Sequence, residues 1–149
     1  MKPTWILVAD SSRARIFTAT TRTGPLQELE DIAHPEGREH EQNMTSDLPG
    51  RDSSRIGGER HSFQDETEPK EQETIEYARR IAHHLDDGRK AGKYEQLIIV
   101  AAPRFLGTLR AHLSEPTSKL IVLEIDKNLA QHDAADIRRH LPELLPNLG

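Results

Sequence analysis

The stretch Trp5-Ile6-Leu7-Val8-Ala9, then Asp10-Ser11-Ser12, then Arg13-Ala14-Arg15-Ile16-Phe17-Thr18 decides the fold class. Its first five residues are apolar without alternation, the pattern of a strand covered on both faces. Asp10-Ser11-Ser12 is turn chemistry. From Arg13 to Thr20 the pattern alternates, with Ala14, Ile16 and Thr18 on one side and Arg13, Arg15 and Phe17 on the other. That predicts a half-exposed strand returning beside the first as a hairpin. Gly24-Pro25 makes a further turn, and Leu26 to Ile32 reads as a third strand at a sheet edge.

Two more continuous apolar runs follow, Leu97-Ile98-Ile99-Val100-Ala101 and Leu120-Ile121-Val122-Leu123. Both predict central strands. Between the halves, Ile75, Ala78, Ala82 and Leu85 fall at helical spacing, flanked by Ile81. With Pro69 at the start, Glu71 and Glu73 in the first turn and Arg89-Lys90 after the end, they predict a helix over 69–87. Pro103 opens a second helix carrying Leu106, Leu109 and Leu113. Asp133 caps a third with Ala134, Ile137 and Leu141, stopped near Pro142. Leu144-Leu145-Pro146 reads as a short tail packed on the body. A meander of strands followed by alternating helices and strands predicts an α/β fold. Its sheet is mixed, of about five strands, with helices on its faces.

Composition narrows the function. The chain has 149 residues, the length of one domain, yet only 34% are hydrophobic and 30% are charged. Without any cysteine, disulfide scaffolds, thiolate metal sites and thiol catalysis are excluded. A net charge of −5 argues against coating nucleic acid by bulk electrostatics. No apolar run reaches membrane-spanning length. The run Trp5–Ala9 is cut off by Asp10 and is too short for a signal-peptide core, so a cytoplasmic location is expected.

The apolar residues are scarce because one segment holds few of them. From His34 to about residue 65 there is no periodicity, only Gly37, Pro49-Gly50, Gly57-Gly58 and many Ser, Asp and Glu. Its composition is that of a flexible loop. Inside it, Arg51, Arg55, Arg60 and His61 face only Asp52 and Glu59 in Arg51-Asp52-Ser53-Ser54-Arg55-Ile56-Gly57-Gly58-Glu59-Arg60-His61, a local basic stretch on an acidic chain. Gly57-Gly58 lets backbone approach a ligand closely, and arginines suit phosphate. The plainer reading is a hinge kept solvated by its charges.

The ordered set of Trp5–Phe17, the Gly-Gly segment and Ile98-Ile99-Val100-Ala101-Ala102-Pro103-Arg104-Phe105-Leu106-Gly107 resembles the bacterial host-attachment protein family along essentially the whole chain. That family is in turn similar to the middle domain of archaeal and eukaryotic class I peptide-chain release factors. The resemblance implies a ribonuclease H-like fold of the translation-machinery type. It also implies a loop, ahead of a long helix, that contacts the ribosome or RNA. On that basis the candidate binding loop is Arg51, Arg55, Gly57, Gly58, Glu59 and Arg60. Glu59 stands where the release factor has glutamine. An ionised carboxylate accepts rather than donates hydrogen bonds and brings negative charge to a phosphate-rich site, so peptide release is not expected. The resemblance implies a role in attachment, expected to be intracellular and indirect.

Other residues yield weaker candidates. Pro103 and Arg104 form a candidate anion site at a helix start, without a glycine-rich cradle. Asp10, with Glu124 and Asp126, gives carboxylates for a metal-dependent hydrolase only if their strands are neighbours, and turn residues are the plainer reading. His83-His84 lack the i, i+4 spacing of a helical metal pair. His34 and His40 with Glu36, Glu39 and Glu41 read as solvated charge. Ser11 and Ser12 have no recognisable nucleophile partners. No metal or small-molecule cofactor is expected.

Overall fold

The computed structural model describes residues 1–34 and 71–147. Five strands form one sheet: β1 (Thr4–Ala9), β2 (Arg13–Thr18), β3 (Gln27–Ala33), β4 (Gln96–Ala101) and β5 (Ile121–Ile125), in the order β3-β2-β1-β4-β5. β2 is antiparallel to both its neighbours, whereas β1, β4 and β5 run parallel. β1 and β4 pair without slippage from Thr4↔Gln96 to Ala9↔Ala101. The mixed five-stranded α/β architecture expected from the apolar runs is therefore present.

Helix α1 covers 71–90, α2 is Pro103–His112, α3 is Glu115–Ser118 and α4 is Ala134–Arg139. Strand alternation divides the core in two. Leu7, Ala9, Ile16, Leu97 and Ile99 face α1 and α2, meeting Tyr77, Ile81 and Leu85 of α1 and Phe105, Leu106 and Leu109 of α2. Ile6, Val8, Phe17, Ile98 and Val100 face the other way, meeting Leu129, Ile137, Leu141 and Leu145. Asp133 caps α4 by accepting from the Asp136 N–H at 2.8 Å, as its position suggested. Leu145 is fully buried, its N–H donates to Arg22 C=O at 2.9 Å and its C=O accepts from Arg22 Nε at 2.6 Å, so the tail does pack on the body.

Three expectations are corrected. β5 is an edge strand and only half-buried. Its continuous apolar run is explained by contact with both cores through Ile121 on one side and Val122, Leu123 and Ile125 on the other. β2 is not half-exposed, because the carboxy-terminal segment covers its second face and buries Arg15 and Phe17. α1 continues past residue 87, and its start near Pro69 lies outside the described residues. Gly88 is helical, and the stop is Gly92 at φ 73°. Lys93 N–H donates to Gly88 C=O at 2.9 Å and Gly92 N–H to Arg89 C=O at 3.0 Å, the bonding pattern of a Schellman cap. No helix among the described residues is long and apolar enough to cross a membrane.

The far end of α1 is fastened by Asp86. Its carboxylate accepts from Ser114 Oγ at 2.7 Å, Thr117 Oγ1 at 3.0 Å and Arg89 at 2.9 Å, with Lys90 at 3.2 Å. These bonds, the Ser114 hydroxyl first, hold the carboxyl well below the usual range. A depressed carboxyl stabilises the fold above its unfolded pKa of about 3.9, and that contribution fades as pH falls below it. Asp86→Asn is therefore expected to flatten the loss of stability below about pH 4. Urea midpoints measured from pH 6 to pH 2 check this, and parallel profiles for the two proteins would contradict it.

Candidate functional site

The carboxyl ends of β1, β3 and β4 lie at one end of the sheet, with the starts of β2 and α2 beside them. Such ends of parallel strands are where α/β folds place ligand sites. The chain leaves the described body there, at His34, and rejoins it in α1.

Asp10 organises the first turn. Its Oδ1 accepts from Ser12 N at 2.9 Å, Ser12 Oγ at 3.0 Å and Arg13 N at 2.9 Å. It is a buried turn residue, as the plainer sequence reading had it. β4 lies between β1 and β5, so Asp10 and Asp126 are not on neighbouring strands. Glu124 is engaged with Arg110 at 2.5 Å. Among the described residues, no group of three or more His, Asp or Glu is arranged to hold a metal. The hydrolase arrangement is thus not assembled.

His34 is not solvated charge. It is buried, its Nδ1 lies 2.7 Å from Ser11 C=O, and its backbone N–H donates to Ser12 C=O at 3.1 Å. Its ring stacks on Tyr77 at 4.4 Å and 10°, and Tyr77 in turn meets Phe105 at 5.9 Å. The Tyr77 hydroxyl donates to Ile32 C=O. Burial pushes this phenol well above its ordinary pKa, and the Asp10 charge pushes the same way. It is a neutral donor that ties α1 to β3. Neither aromatic was singled out from sequence, although Tyr77 stands four residues before Ile81 and so continues the apolar stripe.

α2 begins beside this cluster. Ala102 N–H donates to Ala9 C=O at 3.2 Å, which sets the helix start against the end of β1. The Ala102 cap position supplies no side-chain bond, and the first turn holds no acidic residue. Pro103 and Arg104 are exposed. First-turn N–H groups and an exposed guanidinium are groups that suit an anion. Arg51, Arg55, Gly57, Gly58, Glu59 and Arg60 lie outside the described residues, as do Glu36, Glu39, His40 and Glu41.

The adjacent histidines of α1 have separate structural partners. His83 Nε2 stands 3.4 Å from Asp87, whereas His84 Nε2 stands 2.8 Å from Glu30 on β3. His84 also stacks on Trp5 at 5.7 Å. The partner of His84 comes from another element, so helix spacing alone did not reveal it.

Comparison with known proteins gives a family. A relative from Rickettsia prowazekii (strain Madrid E), itself uncharacterised, is 31% identical over 143 residues, which cover 90% of this chain and 89% of that protein. The family model described as "Protein required for attachment to host cells" matches residues 5–141. That span runs from β1 to the end of α4, and the chain belongs to this host-attachment family.

Proposed function

We propose that this family member is an intracellular binding protein that contacts structured RNA, with the ribosome as its principal source, and that its part in attachment is indirect. One observation carries the reading. The described chain breaks off at His34, at the same end of the sheet as the uncapped start of α2 and exposed Arg104, and the sequence that follows His34 before α1 holds Arg51, Arg55 and Arg60. Arginines in a locally basic stretch suit phosphate, and a focused contact is compatible with a net charge of −5. The resemblance of the Gly57-Gly58 stretch to the release-factor loop supports the same reading. So does the ribonuclease H-like relation that the resemblance implies. Glu59 in place of glutamine makes binding, rather than ester hydrolysis, the activity proposed.

The test is co-sedimentation of the full chain with ribosomes across a salt series. Binding should weaken as salt rises, and Arg55→Ala with Arg60→Ala should reduce the dependence on log salt by about one unit per lost phosphate contact. Gly57→Ala with Gly58→Ala should also weaken it. Co-sedimentation unchanged by both pairs would remove this segment from the mechanism, and its absence in the native protein would end the proposal. Cell fractionation finding the chain outside the cell would contradict the location.

A further inference from the structure

The second face of the sheet carries an arrangement unrelated to the candidate RNA contact. His132, Asp136 and His140 follow one another at intervals of four residues, spanning α4 from just before its cap to just after its end. His132 bonds through Nδ1 to the Asp136 carboxylate. His140 bonds through Nδ1 to the Asp136 backbone C=O at 2.9 Å. A carboxylate and a carbonyl only accept, so in each neutral ring Nδ1 carries the proton and Nε2 keeps its lone pair. Neither Nε2 has a partner among the described residues. The Asp136 carboxylate is itself held by Arg139 at 2.9 Å.

The two ring centroids are 6.1 Å apart. Imidazoles sharing one ion, with metal–nitrogen bonds of about 2.0–2.1 Å, have centroids roughly 5–6.4 Å apart. The rings meet edge to face at 77°, and both are exposed. The carboxylate behind His132 is the outer partner that metal-bound histidines commonly have.

The geometry points to His132 and His140 as a two-histidine site for a borderline divalent transition ion, Zn2+ or Cu2+, with water completing the shell. Imidazole donors favour such ions over Mg2+ or Ca2+, and the Irving–Williams order places Cu2+ above Zn2+. An ion held here bridges the chain before α4 to the chain after it, and so stabilises the folded state by mass action.

The experiment is isothermal titration of the full chain with ZnCl2, CuCl2 and MgCl2, each followed by a thermal melt. Saturable 1:1 binding of Zn2+, tighter binding of Cu2+, none of Mg2+ and a raised Tm with Zn2+ are expected. His132→Gln with His140→Gln should abolish that event, and Asp136→Asn should weaken it about 10–100-fold. All three side chains lie at the surface and Asp133 still caps α4, so the variants retain the fold. Zn2+ affinity undiminished in the double variant would place any bound ion at other histidines and overturn the proposal. Absence of saturable Zn2+ and Cu2+ binding by the native chain would overturn it too.

Discussion

Trp5→Ala is expected to cost about 3–5 kcal/mol, the range for truncating a large buried aromatic, and so a large share of a typical domain's stability. Trp5 is 5% exposed and sits at the far end of the sheet from the candidate site. Its ring stacks on Tyr94 at 4.8 Å and on His84 at 5.7 Å. The third wall is Gly88, where an added Cβ would stand 2.5 Å from Cη2 of the indole. Gly88→Ala alone is therefore expected to destabilise by about 1–3 kcal/mol through overpacking. With Trp5 truncated, the clash is gone and alanine's helix propensity, about 1 kcal/mol over glycine, acts alone. The same substitution should then be neutral or stabilising. Urea unfolding followed by circular dichroism, which does not depend on the lost indole, checks this cycle. Additive costs for the two substitutions would show that Gly88 is small for some other reason.

That contact also shows where sequence stops being informative. The apolar stripe ends at Leu85 and Arg89-Lys90 follow, so the sequence predicts an end near residue 87. The actual stop is Gly92, beyond Gly88, and Gly88 is small because Trp5 packs against it. β1, β4 and the start of α2 were legible, because a continuous apolar run and a proline just after it are local signals. β5 gave the same local signal as β4 but lies at the edge, and edge position is set by pairing rather than composition. At the candidate site, Asp10 was legible as a turn residue, since its carboxylate bonds are all within three residues. The His34–Tyr77–Phe105 cluster was not, because it joins the residue after β3 to α1 and α2, which only the fold brings together.

Arg15 is the strongest case of an alternating pattern misleading about exposure, and its removal has the second large effect. The guanidinium is buried. Nε and Nη2 donate to the two oxygens of Glu28 at 3.1 and 2.9 Å, while Nη1 donates to the carbonyls of Ala130, at 3.1 Å, and His132. Its Cζ lies 4.9 Å from the Phe17 ring centroid. Arg15→Met keeps the aliphatic length but leaves both carbonyls without their donor. The Glu28 side chain is 35% exposed and regains water, so the pair itself contributes less than a fully buried one. About 2–4 kcal/mol is expected in total, mostly from the carbonyls. Arg15→Lys should recover little, because a single ammonium cannot reach the Glu28 carboxylate and both carbonyls at once. The effect should also be local in origin. Hydrogen exchange at residues 129–133 should quicken in either variant, while the β1–β4 ladder changes only with global stability. A lysine variant as stable as the native chain, with exchange at 129–133 unaltered, would mean that hydrophobic contact with Leu129 fastens this segment and that Arg15 is incidental.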